Sequence, residues 1–302
     1  MLEHSLSAPK RRRAFRSALS SGRLLSFPGA FNALVAATIE AHHFDGVYLS
    51  GAAVSASYAL PDIGLTSQSE VVDACRSIAR VVELPVLVDA DTGFGEPANV
   101  ARTIQLLEDA DAAGCHIEDQ VNPKRCGHLD NKELVGTEEM VRKIAAAVRA
   151  RRDEAFLICA RTDAATSEGV DGAIGRARAY VDAGADMIFP EALSDESEFE
   201  RFRKAIGAPL LANMTEFGKS KLLSRRVLEE LGINLVIYPV TLLRIAMGAV
   251  ERALSTIEKD GSQEALVREM QSRARLYEII DYAGYAAFDE SVFNFTLGTK
   301  GN

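Results

Sequence analysis

The chain has few cysteines, no long apolar run and no surplus of positive charge, and each shortage removes a class of protein. Its uninterrupted apolar stretches, such as Ala145–Val148, cover only a few residues, whereas a membrane-spanning helix needs about 20. No membrane span is expected. Four cysteines, Cys75, Cys115, Cys126 and Cys159, in 302 residues are too sparse for a disulfide-stapled fold, and no pair has the C-x-x-C spacing of a structural zinc site. A net charge of −9 has the wrong sign for gripping a phosphate backbone, so no nucleic-acid partner is expected. The basic run Lys10-Arg11-Arg12-Arg13 reads as the solvated start of a first helix. No apolar segment with a small-residue cleavage site opens the chain. The expectation is a cytoplasmic protein, with an organellar leader the open alternative. A hydrophobic share of 47% and a charged share of 25% match an ordinary globular domain and exclude wholesale disorder or a coiled-coil rod.

Eight short apolar runs alternate with segments of helical period. The pattern predicts strands at Leu24–Phe27, Gly46–Ser50, Val86–Asp89, Cys115–Asp119, Phe156–Ala160, Met187–Pro190, Pro209–Ala212 and Leu235–Tyr238. Ala98–Ala113, Val170–Ala183 and Glu198–Ile206 read as helices; Val100, Ile104 and Leu107 share one face of the first. Thr137 before Glu138-Glu139-Met140 reads as a variant capping box. Gly114, Gly184, Gly207 and Gly232 read as helix stops. The strands are apolar on both faces, as in a parallel sheet covered by helices. Eight such units predict an α/β fold, a (β/α)8 TIM-type barrel forming one domain over residues 1–302. An open doubly wound sheet is the rival, but no G-x-G-x-x-G follows the first strand. Residues 241–285 predict two further helical stretches, and Thr296–Asn302 a disordered tail.

In such a barrel the chemistry sits at the C-terminal ends of the strands, and polar residues gather there. They are Ser50-Gly51-Ala52, Asp89-Ala90-Asp91, His116-Ile117-Glu118-Asp119, Arg161-Thr162-Asp163, Glu191, Asn213-Met214-Thr215-Glu216 and, after the eighth strand, Arg244. A barrel end that only closed a core would not need ionisable groups on nearly every unit. Asp89 and Asp91 alternate along a strand and so would point to one side, with Glu118 joining them from the next. Ligation by oxygen alone suits a hard ion, Mg2+ or Mn2+. The plainer reading is that one aspartate caps a helix or pairs with Arg161. His116 fits an orienting role better than a ligand's. Arg161 and Arg244 could each hold a carboxylate through a bidentate fork, or make salt bridges at the rim. Together they favour a di- or tricarboxylate substrate.

The loop after the fourth strand sets Cys126 between Lys124-Arg125 and Gly127-His128. Nearby cations lower a thiol pKa from about 8.5, and glycine frees the loop to close. Such a thiol could transfer a proton or act as a nucleophile. Cys115 and Cys159, inside strands, and Cys75, on a helix, read as inert core residues.

Lys124-Arg125-Cys126-Gly127-His128 resembles the K-[KR]-C-G-H signature of the isocitrate lyase and phosphoenolpyruvate mutase superfamily. The resemblance extends over residues 15–285 through Ser50-Gly51-Ala52, Leu60-Pro61-Asp62, Asp89 to Gly95, His116 to Gln120, Ala160 to Asp163, Phe189-Pro190-Glu191-Ala192 and Asn213 to Phe217. The arginine in the signature, the compact length and Phe-Pro-Glu-Ala resemble the branch that cleaves 2-methylisocitrate. The resemblance implies a retro-aldol-type cleavage giving pyruvate and succinate, the last step of propionate breakdown through the methylcitrate cycle. It implies Cys126 as the proton donor and Tyr48 as the candidate base. Asp89, Asp91 and Glu118 would serve Mg2+, with Asp62 near it. Ser50, Gly51 and Ala52 would take the pyruvyl carboxylate. Arg161, Glu191, Asn213, Thr215, Arg244 and Arg273 would surround the succinyl half, with Gly127 and His128 as further donors. Phe189 and Ile237, aligned with bulkier residues of isocitrate lyases, would leave room for the substrate methyl. Such a methyl is worth only about 1–3 kcal/mol. One departure is Ser50-Gly51-Ala52-Ala53, where many members have Ser-Gly-Gly. The resemblance also implies a homotetramer, a dimer of dimers, with the last barrel helix exchanged between subunits.

Four alternatives accompany this expectation. They are an oxaloacetate hydrolase or decarboxylase, a lyase acting on isocitrate or 2,3-dimethylmalate, a C–P mutase, whose relatives generally lack the loop thiol, and a non-catalytic barrel, whose strand-end set would be eroded.

Overall fold

The computed structural model describes residues 6–125, 127 and 132–294. A leading helix α1 (Ala8–Ser20) is followed by β1 (Leu25–Pro28), α2 (Ala33–Ala41), β2 (Val47–Leu49), α3 (Gly51–Ser57), α4 (Gln68–Ala79) and β3 (Val86–Asp89). Then come α5 (Pro97–Asp109), β4 (Gly114–Glu118), α6 (Thr137–Ala150), β5 (Leu157–Thr162), α7 (Gly169–Asp182), β6 (Met187–Pro190), α8 (Glu196–Ala205) and β7 (Leu211–Asn213). The chain continues through α9 (Arg225–Glu230), β8 (Leu235–Tyr238), α10 (Thr241–Asp260), α11 (Arg273–Ile279) and α12 (Tyr282–Phe293).

All eight strands run parallel. β2 to β6 pair in chain order, and β1, β8 and β7 form a second group. Single bridges from Gly29 to Tyr48 and from Ile188 to Leu210 join the groups at both seams, so the ring closes as the expected barrel. Gly29 is required at its seam, because a Cβ there would come 1.9 Å from the Pro239 carbonyl oxygen. Three strands coincide with the expected bounds and the others shift by a residue or two. Their outward side chains meet the helices in one large core. Their inward side chains, among them Phe27, Tyr48, Leu87, Met187, Phe189 and Ile237, fill the barrel axis.

α1 closes the N-terminal mouth of the barrel. Phe15 and Leu19 join the axial cluster, with the Phe15 ring 5.1 Å from that of Phe27. The solvated reading of Lys10–Arg13 fails for Arg11 and Arg12, which are buried. Arg12 Nε donates to the Ala112 carbonyl at 2.8 Å and Nη2 to that of Glu108 at 2.9 Å, while Nη1 pairs with Asp153 at 3.1 Å. Arg11 Nη1 donates to the Val82 carbonyl at 2.8 Å. These carbonyls lie at and just past the ends of α5 and α4, where a helix leaves acceptors unpaired and a cation is favoured.

Local signals differ in two places. Thr137 is the first residue of α6 rather than its cap; Gly136 precedes it without a side-chain cap. The reciprocal capping box is at Ser67 and Glu70, starting α4. Gly184 and Gly232 follow α7 and α9 with positive φ, and Gly207 lies just past the end of α8 with an ordinary φ, as helix stops should, but Gly114 opens β4. Beyond β8 the described residues form three α-helices, not two, and these reach Phe293. The expected disordered tail, Thr296–Asn302, lies outside the described residues. Among the described residues no helix is long and apolar enough to cross a membrane.

Arg12→Leu strands two buried carbonyls and Asp153. The expected loss is about 2–4 kcal/mol, read as a lower urea midpoint at unchanged slope. Stability within about 0.5 kcal/mol of the parent would contradict this account of the barrel floor.

Candidate active site

The strand ends open into one polar cavity. Its walls include Tyr48 from β2, Ser50 and Ala52 around the start of α3, Asp62, Asp89 from β3, Lys124, Gly127, Arg161 from β5, Glu191 after β6, Asn213 and Thr215 at the end of β7, and Arg244 from α10. Residues far apart in sequence meet here because each follows a short strand of the same ring.

Arg161 is the centre of the charge arrangement. Its Nε and Nη2 donate to the two oxygens of Asp163 at 2.9 and 3.1 Å. Its Nε also lies 3.3 Å from Glu118 Oε2, and its Nη1 3.3 Å from Glu191 Oε2. The guanidinium sits over the Phe189 ring, 5.1 Å from its centre. Lys124 pairs with Asp62 and, at 2.9 Å, with Asp91. Asn213 Nδ2 reaches both oxygens of Glu191. At the rim, Arg244 faces Glu216 at 3.9 Å and covers the Phe217 ring.

Asp89 accepts from the Gly51 N–H at 2.9 Å and from the Asp91 N–H at 3.1 Å. Asp91 does not reach the site by strand alternation, because β3 ends at Asp89 and Asp91 lies in the following turn with φ 46°. Gly51 leaves room for both acids: a Cβ there would come 3.0 Å from Asp91 Oδ1 and 3.1 Å from Asp89 Oδ2. Burial pushes the Asp91 carboxyl up to about 6 against the opposing charge of Lys124. Burial also acts on Asp89, but His116, Lys124, Arg161 and the Gly51 N–H overcome it and hold that carboxyl low. Glu118 is driven well up by burial despite Arg161 and Lys124.

Tyr48 and His116 stack inside the ring, with Tyr48 Oη 2.8 Å from His116 Nε2. Tyr48 Oη also lies 3.4 Å from Asp89 Oδ2. His116 Nδ1 is buried with no partner among the described residues. An unpaired lone pair costs less than an unpaired N–H, so we assign the ring proton to Nε2, donating to Tyr48. Burial lowers His116 to about 4, which leaves it neutral near pH 7. Burial and Asp89 push the Tyr48 hydroxyl well up, so it rests protonated.

A hard divalent cation fits this site on two observations. Neither oxygen of Glu118 accepts a hydrogen bond among the described residues, although both are buried. Five acids (Asp62, Asp91, Glu118, Asp163 and Glu191) meet three cations, Lys124, Lys132 and Arg161, at contact distances; Asp89 in the same cavity makes a sixth acid and Arg244 at its rim a fourth cation. An anionic substrate would meet net negative charge there unless a cation joined it. The expected three-ligand set is not assembled, however: among the described residues no three acids, histidines or cysteines converge as ligands. The arrangement suits Mg2+, which takes one or two carboxylates and fills its shell with water and substrate oxygens.

Several expected residues lie elsewhere. Phe189 and Ile237 are fully buried in the barrel axis and are not among the cavity walls. Arg273 is exposed at the start of α11, outside the cavity. Cys126 and His128 fall outside the described residues. Cys75, Cys115 and Cys159 are buried free thiols, as expected. Sequence reasoning gave no role to Asp119, which accepts from the Thr162 and Tyr180 hydroxyls, each at 2.8 Å, and from the Asp163 N–H at 2.9 Å. It thereby holds the end of β5 that carries Arg161. Its place beside Glu118 on the same strand end was the available signal.

A parallel barrel with acids and cations massed at its strand ends defines a barrel enzyme acting on a small anionic substrate. Comparison with known proteins narrows the class. The phosphoenolpyruvate phosphomutase family matches residues 15–258. A protein of Corynebacterium glutamicum named probable 2-methylisocitrate lyase 2 is 60% identical over 296 residues, covering 98% of this chain and 96% of its own. The crystal structure of 2,3-dimethylmalate lyase, described as a PEP mutase/isocitrate lyase superfamily member, superposes with a TM-score of 0.89 at 31% identity, covering 98% of this chain and 100% of that one. Phosphonopyruvate hydrolase in complex with oxalate and Mg++ gives a TM-score of 0.84 at 33% identity, covering 94% and 99%. The chain belongs to the phosphoenolpyruvate mutase family.

Proposed function

We propose that this protein is a carbon–carbon lyase that cleaves 2-methylisocitrate to pyruvate and succinate. The observation that carries the reading is Gly127 of the Lys-Arg-Cys-Gly-His loop, which forms a wall of the acid-lined cavity beside Arg161 and Glu191. The near-full-length likeness to a lyase named for that substrate supports it.

The reaction breaks the C2–C3 bond. The C2 hydroxyl loses its proton and becomes the carbonyl of pyruvate. The bonding electrons pass to C3, giving the enediolate of succinate, which then takes up a proton. Ser50, Gly51 and Ala52 would hold the pyruvyl carboxylate. Arg161, Asn213, Thr215 and Arg244 would hold the succinyl half, with Glu191 fixing Arg161 and Asn213. Mg2+ or Mn2+, held through Asp89 with Asp91 and Glu118 nearby, would polarise the forming carbonyl. Tyr48 is the candidate base; its raised pKa calls for added positive charge beside it before it can take a proton. Cys126 would protonate the enediolate, with Gly127 and His128 as further donors. Phe189 and Ile237 would act on the substrate methyl from beneath the cavity, by setting the height of its floor. Arg273 lies outside this chain's own cavity.

The test is a product assay with 2-methylisocitrate, isocitrate, 2,3-dimethylmalate and oxaloacetate, each with Mg2+. We expect pyruvate and succinate from the first, roughly 10–200-fold faster than cleavage of isocitrate, given what one methyl can decide. We expect the rate to vanish in EDTA and return with Mg2+. Oxalate or carbon dioxide from oxaloacetate, with no cleavage of 2-methylisocitrate, would overturn the reading.

We further propose a homotetramer, a dimer of dimers, in which α10 passes to a neighbouring subunit. In support, no residue of α10 is buried, and Met247, Val250, Leu254 and Ile257 form one exposed apolar stripe. Sedimentation is expected to give a mass four times that of the chain, and Leu254→Glu to lower it. A monomer at micromolar concentration would contradict this.

A further inference from the structure

We propose that Gln120 and Lys132 are positioning residues that fix the backbone of Arg125 and of Gly127, the latter a wall of the cavity beside Arg161 and Glu191. The kinetic consequence rests on reading Cys126 as the proton donor; the geometry does not.

The loop after β4 leaves and returns through a narrow neck. Val121 N–H donates to the Glu133 carbonyl at 2.8 Å, and Val135 N–H to that of Asp119 at 3.0 Å. Within that neck Gln120 is buried, with 1% of its surface exposed. Its Oε1 accepts from the Arg125 N–H at 2.9 Å, and its Nε2 donates to the Arg125 carbonyl at 2.9 Å. One side-chain amide thus supplies the donor and acceptor that a neighbouring strand would otherwise offer, and it does so at the residue before 126. Glutamate could not replace it, since a carboxylate has no N–H for the carbonyl.

Lys132 acts on the other side. Its ammonium donates to the Gly127 carbonyl and lies 3.1 Å from Asp163 Oδ1. The side chain is 3% exposed, so both partners face it away from water, where such contacts are strong. Asp163 in turn grips Arg161 through both oxygens. Gly127 itself fits closely: a Cβ would come 2.2 Å from Arg161 Nη2 and 2.5 Å from Glu191 Cγ. Lys132 therefore ties the residue after 126 to the cation expected to hold substrate. A displacement of about 1 Å at a reacting group can cost about 100-fold in rate.

The experiment compares Gln120→Leu, Gln120→Glu, Lys132→Met and Lys132→Arg with the parent full-length chain and Mg2+. Three readouts are taken: kcat and KM for 2-methylisocitrate, the thermal midpoint, and the rate of maleimide alkylation at Cys126 by mass spectrometry, with and without pyruvate plus succinate. Cys75, Cys115 and Cys159 are buried, and burial pushes the Cys75 thiol up to about 12 and the other two well above the usual range, so labelling reports on Cys126. We expect Gln120→Leu, Gln120→Glu and Lys132→Met to lose about 10–100-fold in kcat with KM within about threefold. Alkylation should lose its protection by the products, and Lys132→Arg should recover most of both. Unchanged kcat and unchanged protection would overturn the proposal. So would a raised KM at normal kcat, or losses that only track a fall in thermal midpoint. Cys126→Ser separates the two readings: normal turnover there removes the thiol as acid, while protection from alkylation in the other variants still judges the positioning role.

Discussion

The ion cluster around Arg161 is the constraint on which the rest of the site depends. One guanidinium meets Asp163, Glu118 and Glu191, all buried, at 2.9 to 3.3 Å. Each of these charges alone would cost several kcal/mol to bury. Together they are tolerable only in one geometry, and that geometry is enforced from behind. Asp119 holds the backbone of Asp163, and the Phe189 ring supports the flat face of Arg161. The acids still outnumber the cations. The same cluster that fixes the site therefore leaves acids in excess of cations, a balance that the proposed divalent cation would offset.

The barrel makes this possible by separating stability from chemistry. Apolar strands filled along the axis, and a mouth plugged by α1 through Phe15, Arg11 and Arg12, hold the floor. The opposite ends of the same strands are free to carry acids and cations. His116 marks the border between the two. Its ring is neutral, packs edge-on against Phe189, and faces Tyr48 at the level where the apolar axis gives way to the cavity.

Much of this was legible in the sequence, for identifiable reasons. Parallel strands buried on both faces are continuously apolar, so Val86–Asp89, Met187–Pro190 and Leu235–Tyr238 could be read to the residue. The strand-end rule then singles out Asp89, Glu118, Arg161, Glu191 and Asn213 from the sequence alone. What was not legible depends on the chain folding back on itself. Arg11 and Arg12 look like a solvated basic run until α1 meets the carbonyls at the ends of α4 and α5. Asp91 reaches the site through a left-handed turn after β3 and not through strand alternation, which the sequence pattern does not reveal. Gln120 and Lys132 carry no local pattern, because their partners are the backbone of a loop that returns to them. Arg273, Phe189 and Ile237 came from resemblance rather than from position, and the ring sets all three apart from the cavity wall.

The most direct test of this account is the unfolding free energy and turnover of Arg161→Met, measured beside Arg161→Met with Glu118→Gln. If Arg161 is the shared counter-charge, the single variant should lose about 3–5 kcal/mol by stranding buried acids, and the double variant should recover part of that stability while remaining inactive. A single variant with parental stability and turnover would show that the cluster neither holds the site together nor serves its chemistry.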